Sequence, residues 1–221
     1  MPNPTGADAR RANDTFSTLA RMPITLHYPR IDPATLQVSV FVDYSGSAVS
    51  PLTKRQVGYL IALVDASHRF SLLHWASYRP HGVCRGSCAG ELLDLADAMA
   101  AALHVRLLLQ ELLSRRVPMA AYTDSSAAHD LITSFKDRTD MTGKNDLFML
   151  RRALLNGTIR ALHLVHGAHN PADALSKRTF ARPAPNDALN EALSTSMLRP
   201  VICAHTTSAD YRNALRPRAE A

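Results

Sequence analysis

The sequence is poor in cysteine, has no long uncharged apolar run and repeats nothing, and each shortage removes a class of protein. Its three cysteines, Cys84, Cys88 and Cys203, are an odd number with no paired pattern, which excludes a disulfide framework. Cys84 and Cys88 are spaced like half of a zinc site, but no second Cys/His pair matches them. They read as free thiols in a reducing, intracellular setting, cytoplasm or nucleus. No stretch free of charges reaches the length of a membrane span, so no membrane partner is expected. The opening MPNPTGADARRANDTF has no apolar core and does not read as a secretory signal. The absence of any internal period removes solenoids and other repeat architectures.

What is present is ordinary for a globular chain. Hydrophobic residues make up 46% and charged residues 20%, a balance that excludes whole-chain disorder. At 221 residues the chain has room for one good-sized domain with tails, or two very small ones. Lys and Arg number 25 against 19 Asp and Glu, a net charge of +6, with basic doublets at Arg115-Arg116, Arg151-Arg152 and Lys177-Arg178. That excess suits a polyanionic partner, because basic contacts to phosphates release counterions, and it equally suits a plain basic surface.

Residues 1 to about 20 are polar and irregular, and LHYPRIDPATL is rich in turn formers. The first strand is expected over Gln37–Tyr44, where Val38, Val40 and Val42 alternate with Gln37, Ser39 and Asp43. Residues 58–65 and 69–78 read as two further strands joined by Ala66-Ser67-His68, an antiparallel hairpin. An Ala- and Leu-rich helical pattern runs from about Cys88 to Arg115, with Ser87 as its N-cap. MAAYTD after Pro118 is a fourth strand, Ser125–Phe135 a helix, and about 146–156 another, closed by Asn156-Gly157. Residues 159–166 form a fifth strand, and Asn170-Pro171 opens a last helical turn. Residues 37–180 therefore read as one domain and 181–221 as a tail with one short helix near 186–194. Three strands on short turns, with a fourth strand after a long helix, predict an α/β fold. Its core is a mixed five-stranded sheet with helices on it.

Four acidic residues fall at matching points in this plan. Asp43 ends the first strand and Asp124 the fourth. If the crossover makes those strands parallel neighbours, their backbones lie about 5 Å apart and both carboxylates leave the same sheet edge. Two such carboxylates repel unless a cation lies between them. Glu91, in the first turn of the long helix, shares an axial line with Ala98, Ala102 and Leu109, and so faces an apolar boundary where a carboxylate needs a partner. Asp94 and Asp97 fall on the polar side and read as solvated surface residues. Asp173 lies in the first turn of the last helix; there it serves either the sheet edge or the helix N-terminus. An all-oxygen ligand set suits Mg²⁺, with Mn²⁺ as substitute. Two such ions about 4 Å apart suit phosphodiester hydrolysis. Lys54, Arg79 and Arg85 lie in or beside the turns linking the early strands and the helix, within reach of phosphates. His163 and His166 would point to opposite faces of a strand, which disfavours a histidine metal cluster.

The stretches VFVDYSGSA, QVGYLIALVD, LLHWASYRPHGVCRGSCAGELLDL, VPMAAYTDSSAAHDLI and LVHGAHNPADALSK span about residues 37 to 178. Together they resemble the ribonuclease H segment of copia-type and related retrotransposon polyproteins, NPADALSK being the most specific piece. The resemblance implies a ribonuclease H-like fold with sheet order 3-2-1-4-5 and helices on both faces. It also implies cleavage of the RNA strand of an RNA–DNA hybrid, with Asp43, Glu91, Asp124 and Asp173 at the four divalent-metal positions. LHYPRIDPATL is similar to the stretch joining a reverse transcriptase region to this domain. Residues 1–36 then read as a lead from such a region, and that region becomes a possible partner within one polyprotein. His169 stands where cellular enzymes carry a loop histidine, and so joins the candidate catalytic residues. Tyr44-Ser45 departs from the small residue usual after the first aspartate, and TDMTGKND is divergent. With no polymerase motif, the chain reads as a fragment, a decayed copy or a domesticated domain. An inactive, nucleic-acid-binding relic is the main alternative to an active nuclease. Transposases and integrases of the same fold end their acidic set in a Glu on a late helix, whereas here it ends in Asp173.

Overall fold

Strand β1 (Gln37–Ser45) carries side chains buried on both faces, and the rest of the molecule is arranged around it. Val38, Val40, Val42 and Tyr44 enter one apolar cluster, and Phe41 enters a second on the opposite face. The computed structural model describes residues 5–7, 9, 10, 13, 14, 17, 25–46, 55–80, 87–134, 143–176 and 187–215. Strands β2 (Gln56–Val64) and β3 (Phe70–Tyr78) extend the sheet from β1 as an antiparallel meander. Their connection is held by Asp65, whose carboxylate accepts the backbone N–H groups of Ser67 (2.9 Å) and Arg69 (3.1 Å) and the Nε of Arg69 (2.7 Å). His68 takes the left-handed conformation at φ 61° that this tight link requires.

Helix α1 (Ser87–Leu113) crosses one face and returns the chain as β4 (Met119–Thr123), parallel to β1. Helices α2 (Ser126–Thr133) and α3 (Lys144–Leu155) come next, and β5 (Ala161–Val165) then pairs parallel to β4. After a short 3₁₀ turn (Gly167–His169) come α4 (Asp173–Ser176), α5 (Asp187–Thr195), β6 (Ile202–Thr207) and α6 (Ser208–Leu215). Leu92, Leu95 and Met99 of α1, Leu131 of α2, Leu150 of α3 and Tyr211 of α6 fill one layer against the sheet. Leu175 of α4 and Ala192 of α5 pack against Phe41, Leu60, Phe70 and Tyr122 on the other. Helices thus cover both faces, as expected.

Among the described residues the sheet has six strands, in the order β3-β2-β1-β4-β5-β6, rather than the expected five. The extra strand comes from the stretch that reads as a tail with one helix, which also supplies α6. Strand β6 pairs antiparallel with β5 at the sheet edge, and its side chains are exposed or half-buried throughout. An edge strand held mainly by backbone pairing needs no apolar alternation, so its sequence carries little strand signal.

Candidate metal centre

The register brings two of the carboxylates together. On the parallel pair Val42 stands opposite Thr123, so Asp43 and Asp124 each lie one residue beyond matched partners. The start of α2 keeps Asp124 at the strand end. Ser125 caps that helix, its side chain accepting the Ala128 N–H at 3.2 Å, and Thr123 Oγ1 accepts the Ser125 N–H at 3.1 Å. The Gly167 turn passes close by, where a Cβ would stand 3.2 Å from Asp124 Oδ2.

The third carboxylate arrives with α4. Asn170 is fully buried and donates from Nδ2 to the Val42 carbonyl at 2.8 Å, while its Oδ1 accepts the Ala172 N–H at 3.1 Å. This ties the start of α4 to the residue before Asp43. Ser176, one turn further, donates its hydroxyl to Asp43 Oδ2. The helix can lie this close because β2 has Gly58 directly opposite Asp43; a Cβ there would stand 2.6 Å from the Ser176 backbone nitrogen. A glycine inside a strand is otherwise unfavourable, and here close backbone approach explains it.

One carboxylate oxygen from each of Asp43, Asp124 and Asp173 lies within 4.8 Å of the others. Mg²⁺–oxygen bonds of about 2.1 Å place ligand oxygens no more than about 4.2 Å apart across an ion, so a small side-chain adjustment closes the set. Among the described residues no histidine or cysteine joins this group. Three hard anionic oxygens converging on one point fit a hard divalent cation and suit zinc or copper less well.

Because α1 begins at Ser87, Glu91 lies just past its first turn rather than in it; it is buried, but outside the three-oxygen set. Asp94, one helical turn later, is fully buried, against the expectation of a solvated surface residue. Its pKa is driven well above the ordinary carboxylate value by burial first, then by the charges of Glu91 and Asp43. The Gly58 N–H acts the other way, yet it does not reach hydrogen-bond geometry with either Asp94 oxygen. Helical phase alone misplaces Asp94, because α1 lies over β1 and β2 and buries a wider face than an apolar stripe suggests. Asp97 is exposed, as expected, and accepts the Tyr78 hydroxyl at 2.5 Å.

Tyr44, the unusual large residue after Asp43, is accommodated by glycine. Its ring lies against Gly90 and Gly46, and a Cβ at either position would collide with it. Gly90 immediately precedes Glu91, so the same glycine lets α1 approach β1 where Glu91 is delivered.

His169 lies in the turn between β5 and α4, its ring 5.9 Å from that of His166. It borders a cavity of about 260 Å³ shared with Glu191 and Arg199. His163, inside β5, stacks on Tyr122 at 4.6 Å and stays away from the carboxylates' edge. Arg79 is exposed just beyond β3. Lys54, Arg85 and Cys84 lie outside the described residues, as does the first half of TDMTGKND. Cys88 and Cys203 are free thiols. Sequence reasoning misses Asn170 and Ser176. The first was detectable as an Asn-Pro pair opening a turn, the second only as a hydroxyl one turn after Asp173.

The fold is ribonuclease H-like: an antiparallel β1–β2–β3 meander, a helical crossover to a parallel β4, and a further parallel β5. Solved structures similar to it include RNase H1 from Halobacterium salinarum NRC-1, with 21% identity over 71% of this chain and 99% of that one, and a TM-score of 0.44. A second is the N-terminal RNase H domain of a Mycobacterium tuberculosis protein, fused to maltose binding protein. It has 18% identity, covers 73% of this chain and 99% of that one, and gives a TM-score of 0.44. The prototype foamy virus protease-reverse transcriptase is also similar, at 14% identity over 78% of this chain and 22% of that one, with a TM-score of 0.39. No family model and no curated protein matches the sequence. Among the described residues no helix is long and apolar enough to cross a membrane.

Proposed function

We propose that this chain is a metal-dependent ribonuclease H of retroelement type, hydrolysing the RNA strand of RNA–DNA hybrids. The observation that carries the reading is the convergence of Asp43, Asp124 and Asp173 within 4.8 Å at the ends of two parallel strands and the start of a helix. Three anionic groups gathered at one point are costly without a cation, and the chain arranges Asn170, Ser176 and Gly58 to keep them there. Asp43, Asp124 and Asp173 would hold a divalent cation, with Glu91 completing the acidic set; Mg²⁺ is the natural occupant, Mn²⁺ the substitute, and two ions the expected number. When bound, the ions supply the positive charge and Lewis acidity that phosphodiester hydrolysis requires.

The chain's own residues do the positioning. Asn170 and Ser176 fix α4 against β1, and Ser176 orients the Asp43 carboxylate. His169, in the turn that precedes the last aspartate, is assigned to assisting proton or product movement. Arg79, with Lys54 and Arg85, grips phosphates of the hybrid. The copia-type assignment rests on NPADALSK and the flanking stretches, and it makes a reverse transcriptase region of the same polyprotein the natural covalent partner. Residues 37–180 carry the whole acidic set.

The test is cleavage of a hybrid labelled on its RNA strand, with double-stranded RNA and DNA as controls. Cleavage is expected on the hybrid alone, lost with EDTA and restored by Mg²⁺. Asp124→Asn is expected to fold normally and abolish it. Cleavage near the wild-type rate in Asp124→Asn, or in EDTA, would overturn the reading.

A further inference from the structure

Helix α1 is apolar on two sides. Its inner side packs on the sheet through Leu92, Leu95, Ala98, Met99 and Ala102. Its outer side carries Ala100, His104, Leu107, Leu108, Glu111 and Leu112, all exposed. At about 100° per residue these six fall within about 140° of the helix circumference, so they form one continuous stripe. Leu107 is 60% exposed, Leu108 62% and Leu112 80%, and Leu112 is the most exposed large apolar side chain among the described residues. Helix α3 packs beside α1 and leaves Phe148 and Met149 exposed as well.

A single exposed leucine on a helix needs no explanation. Three on one stripe differ, because Lys, Gln or Glu form helix as well and would suit a solvated face better. The point between Leu107 and Leu108 lies about 25 Å along the helix axis from Glu91, so the leucines have no part in the carboxylate site. The charges around them say what covers them. His104 stands three residues before Leu107, and Glu111 three residues after Leu108. The His104 ring is anchored through Nδ1 to the Ala100 carbonyl at 2.9 Å, which leaves its other nitrogen for a partner. Further out, exposed Asp97 precedes the stripe, and Arg115 and Arg116 follow the end of the helix at Leu113.

We propose that this stripe is a homodimer interface, in which α1 packs antiparallel on α1 of a second copy about a two-fold axis between Leu107 and Leu108. In that register Leu107 stands level with the partner's Leu108, and His104 with the partner's Glu111. Each leucine pair is then flanked on both sides by complementary groups. At both ends Asp97 comes near the partner's Arg115 and Arg116. Parallel packing would instead set Glu111 against the partner's Glu111 and Asp97 against the partner's Asp97. A wholly acidic or wholly basic surface would match only half of the pattern. The charge order along α1 is complementary to its own reverse, and that selects a second copy of the chain. The carboxylate clusters come to lie at opposite ends of the pair, both open to substrate. An interface of this small size is a weak one.

The test is sedimentation velocity of the full chain from low micromolar to several hundred micromolar. Wild type should pass from monomer to dimer, and Leu108→Lys should stay monomeric. Glu111→Lys sets a lysine against the partner's His104 and should weaken the dimer about tenfold or more. Adding His104→Glu rebuilds the pair with its signs exchanged, and should bring the dissociation constant back to within about threefold of wild type. Cross-linking gives a second readout, should Leu108→Lys fail to fold. Under mild oxidation Leu108→Cys should form a disulfide-linked dimer, because its two copies meet at the axis. Glu111→Cys should not exceed the background of the wild-type cysteines, its copies being about 10 Å apart along the axis. A wild type that stays monomeric, with no Leu108→Cys cross-link, overturns the proposal and leaves the stripe to a different protein. A dimer indifferent to Leu108→Lys and Glu111→Lys pairs through another surface and overturns it too. Cross-linking of both cysteine variants, or no recovery in the charge exchange, overturns the antiparallel register. None of these readouts uses metal or hybrid, so the nuclease reading is untouched by any outcome.

Discussion

The side-chain amide of Asn170 donates a 2.8 Å hydrogen bond to the backbone carbonyl of Val42, linking residues 128 apart in sequence. The strand that carries Asp43 is thereby joined to the turn that delivers Asp173. Both partners are fully buried, so the bond has no water to replace it.

Asn170→Ala should therefore leave the Val42 carbonyl unsatisfied and free the start of α4. A loss of about 1–3 kcal/mol in unfolding free energy is expected, read from urea denaturation. Because the bond also sets the separation of Asp43 and Asp173, the variant should need more Mg²⁺ for half-maximal cleavage even at temperatures where it is fully folded. Wild-type stability together with wild-type metal demand would show that α4 is held by packing alone.

On the sheet face opposite α1, His163 lies between Tyr122 and His205, with ring centroids 4.6 and 6.0 Å away. Burial, and then the neighbouring His205 and His129, push its pKa from 6.5 down to about 4. Such a histidine binds its proton more readily in the unfolded chain. It has no effect above about pH 6.5 and increasingly destabilises the fold as pH falls from there toward 4. The loss should reach no more than about 3 kcal/mol, since part of the ring is exposed. Asp94, with its raised pKa, gives the opposite slope, losing stability as pH rises; it is common to both proteins and cancels in a difference. His163→Phe keeps the stacking and takes no proton. Its unfolding free energy minus that of wild type should be flat above pH 6.5 and climb below it. Parallel curves from pH 7.5 to 4.5 would rule this out.

Much of this architecture is legible in the residues alone, for a physical reason. The alternation in 37–44, the hairpin around 66–68 and the long Ala/Leu helix are local patterns, and each appears within a few residues of its expected bounds. Asp43 and Asp124 are readable because a strand–helix–strand crossover dictates parallel neighbours. Asp94 is not, because its burial depends on how α1 sits across two strands, which helical phase does not encode. Strand β6 escapes because backbone pairing at an edge leaves little mark on side-chain pattern. Ser176 and Gly58 matter through one close approach between elements 118 residues apart, and neither residue's type announces that contact.

The role of Asp173 is the point where metal binding and helix capping have to be separated. Asp173 is the first residue of α4, but that helix runs only to Ser176, so its dipole is small and a capping benefit correspondingly slight. Its backbone N–H already bonds to the Asn170 carbonyl at 3.1 Å, which settles the start of the helix without the carboxylate. Asp173→Asn should therefore cost about 1 kcal/mol or less in stability, since an amide also accepts backbone hydrogen bonds. As a ligand, an amide lacks the charge that a hard cation demands, so the same variant should lose most of its cleavage activity and require far more Mg²⁺. High Mn²⁺ should restore part of it, because Mn²⁺ binds a given nitrogen and oxygen site and tolerates weaker ligands while Asp43 and Asp124 remain. His169→Ala should be milder, slowing turnover without altering the metal concentration at half-maximal rate, because the ring lies outside the carboxylate cluster. Titrating rate against metal for the two variants side by side separates the roles. If Asp173→Asn matches wild type in both rate and metal demand, Asp173 is a helix-start residue, and the cation is held without it.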